Sequence, residues 1–361
     1  MRVSAKTGLS DQTPPVHLIH WRGRICAIIG LSILLVVIGV LATTIGSVKI
    51  PFLTTWQVMI SKLPLLNPTP SWPSGIETII LDIRLPRVIL AGLVGAALAT
   101  AGATYQGLFR NPLADPYLIG VAQGASLGAI IGFLTPTSWH GLGVGIVPLF
   151  AFIGALTSTA IVYGLARTGK SLPVTTLILA GVALGAFLGS IVSYLIISSG
   201  EKMHPIIFWL MGSFSLSQWS DIRLALPYVA VGIGVILLCA RPLNVMQLDE
   251  EQAQQLGVNV ERLKLVLLAA ATLITAAAVS FVGTIGFVGI IIPHAVRLIW
   301  GADYRFLLPL SFLAGAVFLI AADLIARTVQ APTEIPIGVI TALCGAPFFL
   351  YLLRRHKRVL F

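Results

Sequence analysis

The chain has 361 residues, of which 57% are hydrophobic and only 10% charged, and 23 Lys and Arg against 13 Asp and Glu leave a formal charge of +10. Ordinary soluble domains carry about 25% charged residues, so soluble globular and fibrous proteins are excluded. A mean hydropathy of +0.96 describes a multi-pass helical membrane protein, in which excess positive charge signals topology rather than a nucleic-acid partner.

Read from the N-terminus, residues 1–24 form a polar segment that is taken as cytoplasmic and given no role. The first apolar run, 25–46, is longer than a signal-peptide core of about 7–15 residues and lacks an obvious cleavage site, so it is expected to be an uncleaved first span. Further runs suited to spanning helices fall at 88–108, 118–133, 143–166, 175–197, 222–239, 263–282, 287–299, 307–325 and 337–353. Ten spans put both termini on the same side. With the termini inside, Lys49, Lys62, Arg84, Arg87, Lys202, Arg223 and Arg327 lie outside and the other sixteen of 23 basic residues lie inside. That bias supports ten spans with both termini in the cytoplasm. Residues 25–361 therefore form one all-α transmembrane domain with a long polar inner segment at 241–262. The outer segments are 47–83 and 200–219, and the amphipathic stretch 203–210 in the second is expected to lie along the membrane interface.

Small residues recur every fourth position in three spans: Ala91, Gly95, Ala99, Ala103 and Gly107; then Gly120, Gly124, Gly128 and Gly132; then Gly181, Gly185 and Gly189. A four-residue step keeps each set on one helical face, where backbones can approach closely. Tight packing is the reading for all three. Lining a pathway is an additional reading for the third.

The stretch from Gly164 to Ser171 fits the phosphate-loop pattern G-x-x-x-x-G-K-[ST]. Such a loop works only where it leaves a buried strand and opens a helix. Here it leaves a membrane span and Pro173 follows, so it is rejected as a nucleotide site, and Arg167 and Lys170 are assigned to the headgroups. Acids and histidines at mid-membrane depth are scarce, which disfavours proton coupling and intramembrane hydrolysis. Asp323 stands near an outer end, and His294 beside Pro293 is read as a structural histidine at a helix break. Cys26, Cys239 and Cys344 lie far apart inside apolar runs and read as core residues, so neither a metal nor a cofactor is expected on this chain.

The inner stretch 248–257 has an N-cap residue in Asp249, acids Glu250 and Glu251 suited to the positive end of a helix, and a stop in Gly257. It is expected to form a two-turn helix outside the membrane. Its apolar positions Leu248, Ala253 and Leu256 would seat it either on another protein or on its own neighbours.

From Arg84 onward the chain resembles the permease subunits of ATP-binding-cassette importers for iron-siderophore, haem and cobalamin, the type II importers. The carriers are Arg84-Leu-Pro-Arg87, the run from Tyr105 through Asn111-Pro112 to Asp115-Pro116, Leu118-Ile-Gly120, Glu251 to Gly257, Gly286-Phe-Val-Gly289 through Pro293-His294, Ala322-Asp323 to Arg327, and Glu334-Ile-Pro336-Ile-Gly338. The resemblance implies a homodimer of ten-helix subunits in the cytoplasmic (inner) membrane with a pathway between them, two cytoplasmic ATPase subunits that use ATP and Mg, and an extracytoplasmic substrate-binding protein. It implies that Asp249, Glu250, Glu251, Ala253, Leu256 and Gly257 belong to a coupling helix seated in the ATPase. It implies that Arg84, Arg87 and Arg327 meet carboxylates of the binding protein, against the reading that they snorkel into headgroups or pair with Asp82. Gly181, Gly185 and Gly189 become pathway or packing positions.

The expectation is thus a permease without catalysis of its own that moves a bulky metal chelate, with an iron-siderophore ahead of cobalamin or haem. An ATPase-independent secondary transporter and an intramembrane enzyme are the rivals, and both lack the buried charges they need.

Overall fold

The structure, a computed structural model, describes residues 21–46, 48, 50–61, 72–136, 145–169 and 171–356. Most of the polar segment 1–24, together with Lys49, Lys62 and Lys170, lies outside the described residues. In chain order the helices are α1 Trp21–Thr44, α2 Phe52–Ser61, α3 Ser74–Thr78, α4 Leu85–Leu108, α5 Val121–Leu134, α6 Ile146–Ala166, α7 Val174–Ser198 and α8 Met203–Leu210. They continue as α9 Trp219–Leu238, α10 Ala240–Val245, α11 Glu250–Gln255, α12 Val260–Val282, α13 Val288–Trp300, α14 Tyr304–Thr328 and α15 Ile337–His356.

Among the described residues, seven helical stretches are long and apolar enough to cross a membrane, with α3 and α4 counted as one continuous stretch from Gly75 to Leu108, and α5, α13 and α15 are shorter apolar helices. These ten coincide, within a few residues, with the ten apolar runs of the sequence. Two boundaries differ. Helix α1 is already helical at Trp21, ahead of the apolar run, and there Arg24 is held by the bundle: its Nε donates to the Trp300 carbonyl at 3.1 Å and its guanidinium lies 5.1 Å from the centre of the Phe306 ring. Helix α4 does not start near Val88 but runs back through a π-helical turn, Ile79–Arg84, into α3. A wide turn removes the clash of Pro86 with the carbonyl one turn earlier. Part of the expected outer segment 47–83 thereby folds, as Ile80 packs with Ile50 and Val58 in a small core of its own.

Helices α4 and α12 form the centre, with 83% and 72% of their most apolar stretch buried, whereas α1 and α7 stay at the rim with 6% and 11%. The first two small-residue stripes are packing seams. A Cβ at Gly95 on α4 would strike the Gly315 carbonyl of α14, and one at Gly124 or Gly128 on α5 would strike the Gly154 or Phe150 carbonyl of α6. Short polar caps start the helices at one end of the bundle, where Asn259 Oδ1 accepts the Arg262 N–H at 3.1 Å and Asp303 Oδ1 accepts that of Arg305 at 3.1 Å.

The seams yield a paired test. Gly128→Ala forces a methyl into the Phe150 carbonyl and is expected to cost about 1–3 kcal/mol of stability, whereas Gly30→Ala, with nothing within 4 Å of the new Cβ, should change it by less than about 1 kcal/mol. Thermal unfolding of detergent-solubilised protein checks both.

Candidate functional site

The end of the bundle that carries α11 is built on polar ties between connecting segments. Asp249 caps α11 by accepting the Glu250 N–H at 2.8 Å, and Gly257, at φ 85°, lets the chain turn back so that the Val258 N–H reaches the Ala253 carbonyl at 3.0 Å. Ala253 is fully buried in the main core, whereas Leu248 and Leu256 are 54% and 64% exposed. The apolar side expected of this helix is therefore divided: Ala253 seats it on its own neighbours, and the two leucines face outward with Glu251. Arg110, at the end of the helix-breaking stretch after α4, donates from Nη1 to the Leu248 carbonyl at 3.2 Å and to Asp249 Oδ1 at 3.3 Å. Gln247 Nε2 donates to the Gly107 carbonyl at 3.1 Å.

Beside it, Asp303 accepts hydrogen bonds from the Arg305 side chain and from Asn244 Nδ2 at 2.7 Å. The Arg305 hydrogen bonds, opposed by partial burial, hold its carboxyl down at about 2, against an ordinary 3.8. A carboxyl lowered on folding stabilises the native state above its unfolded value and loses that contribution as pH falls towards its folded value. Asp303→Asn should therefore lower the unfolding temperature at pH 7, and the difference from wild type should vanish between about pH 4 and pH 2, as thermal scans across that range would show.

The phosphate-loop pattern adopts no phosphate-binding geometry in its described residues. It leaves α6, and Thr168 and Ser171 spend their amides on each other's carbonyls at 3.0 and 3.1 Å. Helix α7 opens only at Val174, after Pro173.

A cavity of about 680 Å³ lies against α7. The third glycine stripe divides along it. A Cβ at Gly181 would collide with the Leu118 carbonyl, one at Gly185 would make ordinary contact with Gln123, and one at Gly189 would meet nothing within 4 Å. Gly181 is a packing residue, and Gly185 and Gly189 form a smooth wall. The same wall includes Asp115, named above only within the run that carries the resemblance, and Ser190, Ser193 and Gln123, polar residues that the sequence analysis did not single out. The signal for the serines was available, since Ser193 follows Gly185 and Gly189 at the same four-residue step.

At the opposite end of α4, Arg84, Arg87 and Arg327 do come together, but not as side chains displayed to an outer face. They are only 4%, 8% and 6% exposed. Arg84 donates to the carbonyls of Thr43 at 3.1 Å, Thr44 and Val48, and Arg327 donates to that of Ala42. Arg87 makes a two-pronged pair with Asp323, Nη2 to Oδ1 at 2.8 Å and Nε to Oδ2 at 3.0 Å, and reaches Glu334 at 2.7 Å. Asp323 also lies 3.5 Å from Arg327. The expected exposure fails because the helix carrying Arg84 and Arg87 continues past them and packs there against α1 and against α14, which carries Arg327. The compensating anions are Asp323 and Glu334 rather than Asp82. Removing one member of a buried pair typically costs about 3–5 kcal/mol. Arg87→Met should destabilise by that order, and Arg87→Met combined with Asp323→Asn and Glu334→Gln should lose less than the sum of the single changes, measured by unfolding in detergent.

Among the described residues, ten apolar helices packed into one bundle, with short helices tied to its connecting segments at one end, fit a multi-pass membrane protein. The model of the FecCD transport family matches residues 34–355. The chain is 50% identical over 285 residues to the cobalamin import system permease protein BtuC of Halobacterium salinarum, covering 79% of this chain and 76% of that one. It is 40% identical over 333 residues to the hemin transport system permease protein HmuU of Yersinia pestis, covering 91% and 95%. A solved inward-facing structure of a metal-chelate type ABC transporter superposes with a TM-score of 0.78 at 32% identity, covering 92% of this chain and 99% of that one. The chain belongs to the FecCD transport family and is an ABC importer permease of the type II fold for metal chelates.

Proposed function

We propose that the chelate is cobalamin, ahead of the iron-siderophore expected from sequence, and that the permease works as a homodimer with two ATPase subunits and an extracytoplasmic binding protein. The observation that carries the choice of cargo is the lining of the cavity against α7. Among the described residues it offers one acid, Asp115, with hydroxyls, an amide, glycine backbone and the apolar side chains of Leu118, Val182 and Ala186, and no cation. Haem and ferric citrate carry carboxylates that a wall without cations does not attract. A corrinoid whose periphery is mostly amide suits hydroxyls and backbone. The 50% identity to a protein named for cobalamin import supports the same reading.

The orientation follows from charge. Arg24, Arg110, Arg167, Arg262, Lys264 and Arg305 belong to the α11 end, so we place that end and both termini in the cytoplasm of the inner membrane. There Leu248, Leu256 and Glu251 face outward from a short helix held at both ends, which is a shape suited to a cleft in the ATPase; Asp249, Glu250, Ala253 and Gly257 hold it in place. At the other end the arginine cluster is proposed to meet the binding protein through Glu334. That side chain is 29% exposed, and a carboxylate of the partner can take its place on Arg87 without unpairing Asp323.

In the reconstituted complex, cyanocobalamin presented on its binding protein should raise ATP hydrolysis severalfold, whereas haemin and a ferric siderophore should not. Stimulation by haemin or the siderophore alone would reject the assignment of cargo and leave the family intact.

A further inference from the structure

We infer that Lys264 is a positioning residue that ties α11 to the segment entering α7, so that displacement of α11 moves the wall of the cavity. The inference rests on the reading that α11 is the ATPase contact.

Lys264 stands in the second turn of α12, and its side chain is 3% exposed. Its ammonium donates to Glu250 Oε2 at 2.8 Å, to Glu261 Oε1 at 3.1 Å and to the Leu172 carbonyl at 3.3 Å. An ammonium has three protons, and each has an acceptor on a different element: α11, α12 and the α6–α7 connection. The other oxygen of Glu261 accepts the Leu172 N–H at 2.8 Å. Both backbone polar groups of Leu172, itself 5% exposed, are thus held by the Lys264–Glu261 pair.

Pro173 fixes the next φ, and α7 begins at Val174. From there the helix runs without interruption to Gly185, Gly189 and Ser190 on the cavity. An ammonium is a compact point charge whose three protons leave one atom, which suits lysine to three acceptors that converge on one point.

The alternative route from α11 is weaker. It runs through Arg110 to the segment after α4, and that pair is 41% and 59% exposed, in the range where ion pairs contribute little. The buried lysine is the stiffer connection.

The test uses the full complex with its ATPase, carrying a spin label on Ser193→Cys in both copies. ATP with vanadate should shift the interspin distance in the otherwise unaltered complex, and Lys264→Met should reduce that shift by at least half while the ATPase still co-purifies. Glu250→Gln is the second variant. It keeps Lys264, Glu261 and Leu172 joined and weakens only the share of α11, so it should reduce the shift without lowering the unfolding temperature. A lysine that merely stabilises the fold would lower the unfolding temperature in Lys264→Met and leave the ATP-driven shift unchanged in Glu250→Gln. A full shift in both variants, or no shift in the unaltered complex, overturns the inference. Leu256→Asp separates the two readings: retained co-purification of the ATPase in that variant rejects α11 as the contact, whatever Lys264 does.

Discussion

Helix α1 ends inside the assembly, and the carbonyls of Ala42, Thr43 and Thr44 have no further turn to accept from. In water they would be hydrated, but in an apolar surrounding only protein donors can meet them, and leaving them unmet costs several kcal/mol. Arg84 and Arg327 supply those donors. Their charge also suits the negative end of the α1 dipole, and Asp323, shared with Arg87, offsets the concentration of cations. Helices α1, α4 and α14 are thereby joined at one level by a single polar network. The glycine seam between α4 and α14 lets the backbones come close enough for that network to stay dry.

The α11 end solves the same problem by different means. There the breaks between helices lie near water, and the ties are caps and amide bridges: Asp303 with Asn244, Asp249 with Arg110, Gln247 with the carbonyl of Gly107. Lys264 repeats the buried, multiply bonded pattern of Arg84 and Arg87, and it does so where three elements converge. One end of the molecule is locked by dense internal pairing, and the other is articulated.

Much of this was legible from residues alone. The ten apolar runs mark the ten apolar helices because apolar length is what a bilayer demands, and Asp249 and Gly257 bound α11 because caps act locally. The internal partners of the arginines were not legible because they are remote: Asp323 and Glu334 stand more than 230 positions from Arg87, and no local pattern indicates which acid a buried guanidinium will find. The π-helical turn before α4 was equally hidden, since Pro86 reads as a helix start when only its neighbours are considered. The glycine stripes gave their face but not their function. What separates Gly181 from Gly189 is whether another backbone lies opposite, and that is a property of the folded bundle.

A wall of glycine backbone and serine hydroxyls has a kinetic meaning. Side chains that grip a cargo lengthen its residence, and a permease that held its cargo tightly would throttle its own throughput at the step of release. On the proposed pathway, the stretch of α7 from Gly185 to Ser193 gives a large molecule shape to slide along and few fixed points to hold. Such a wall discriminates through little more than its lack of a cation, and release is free to be fast.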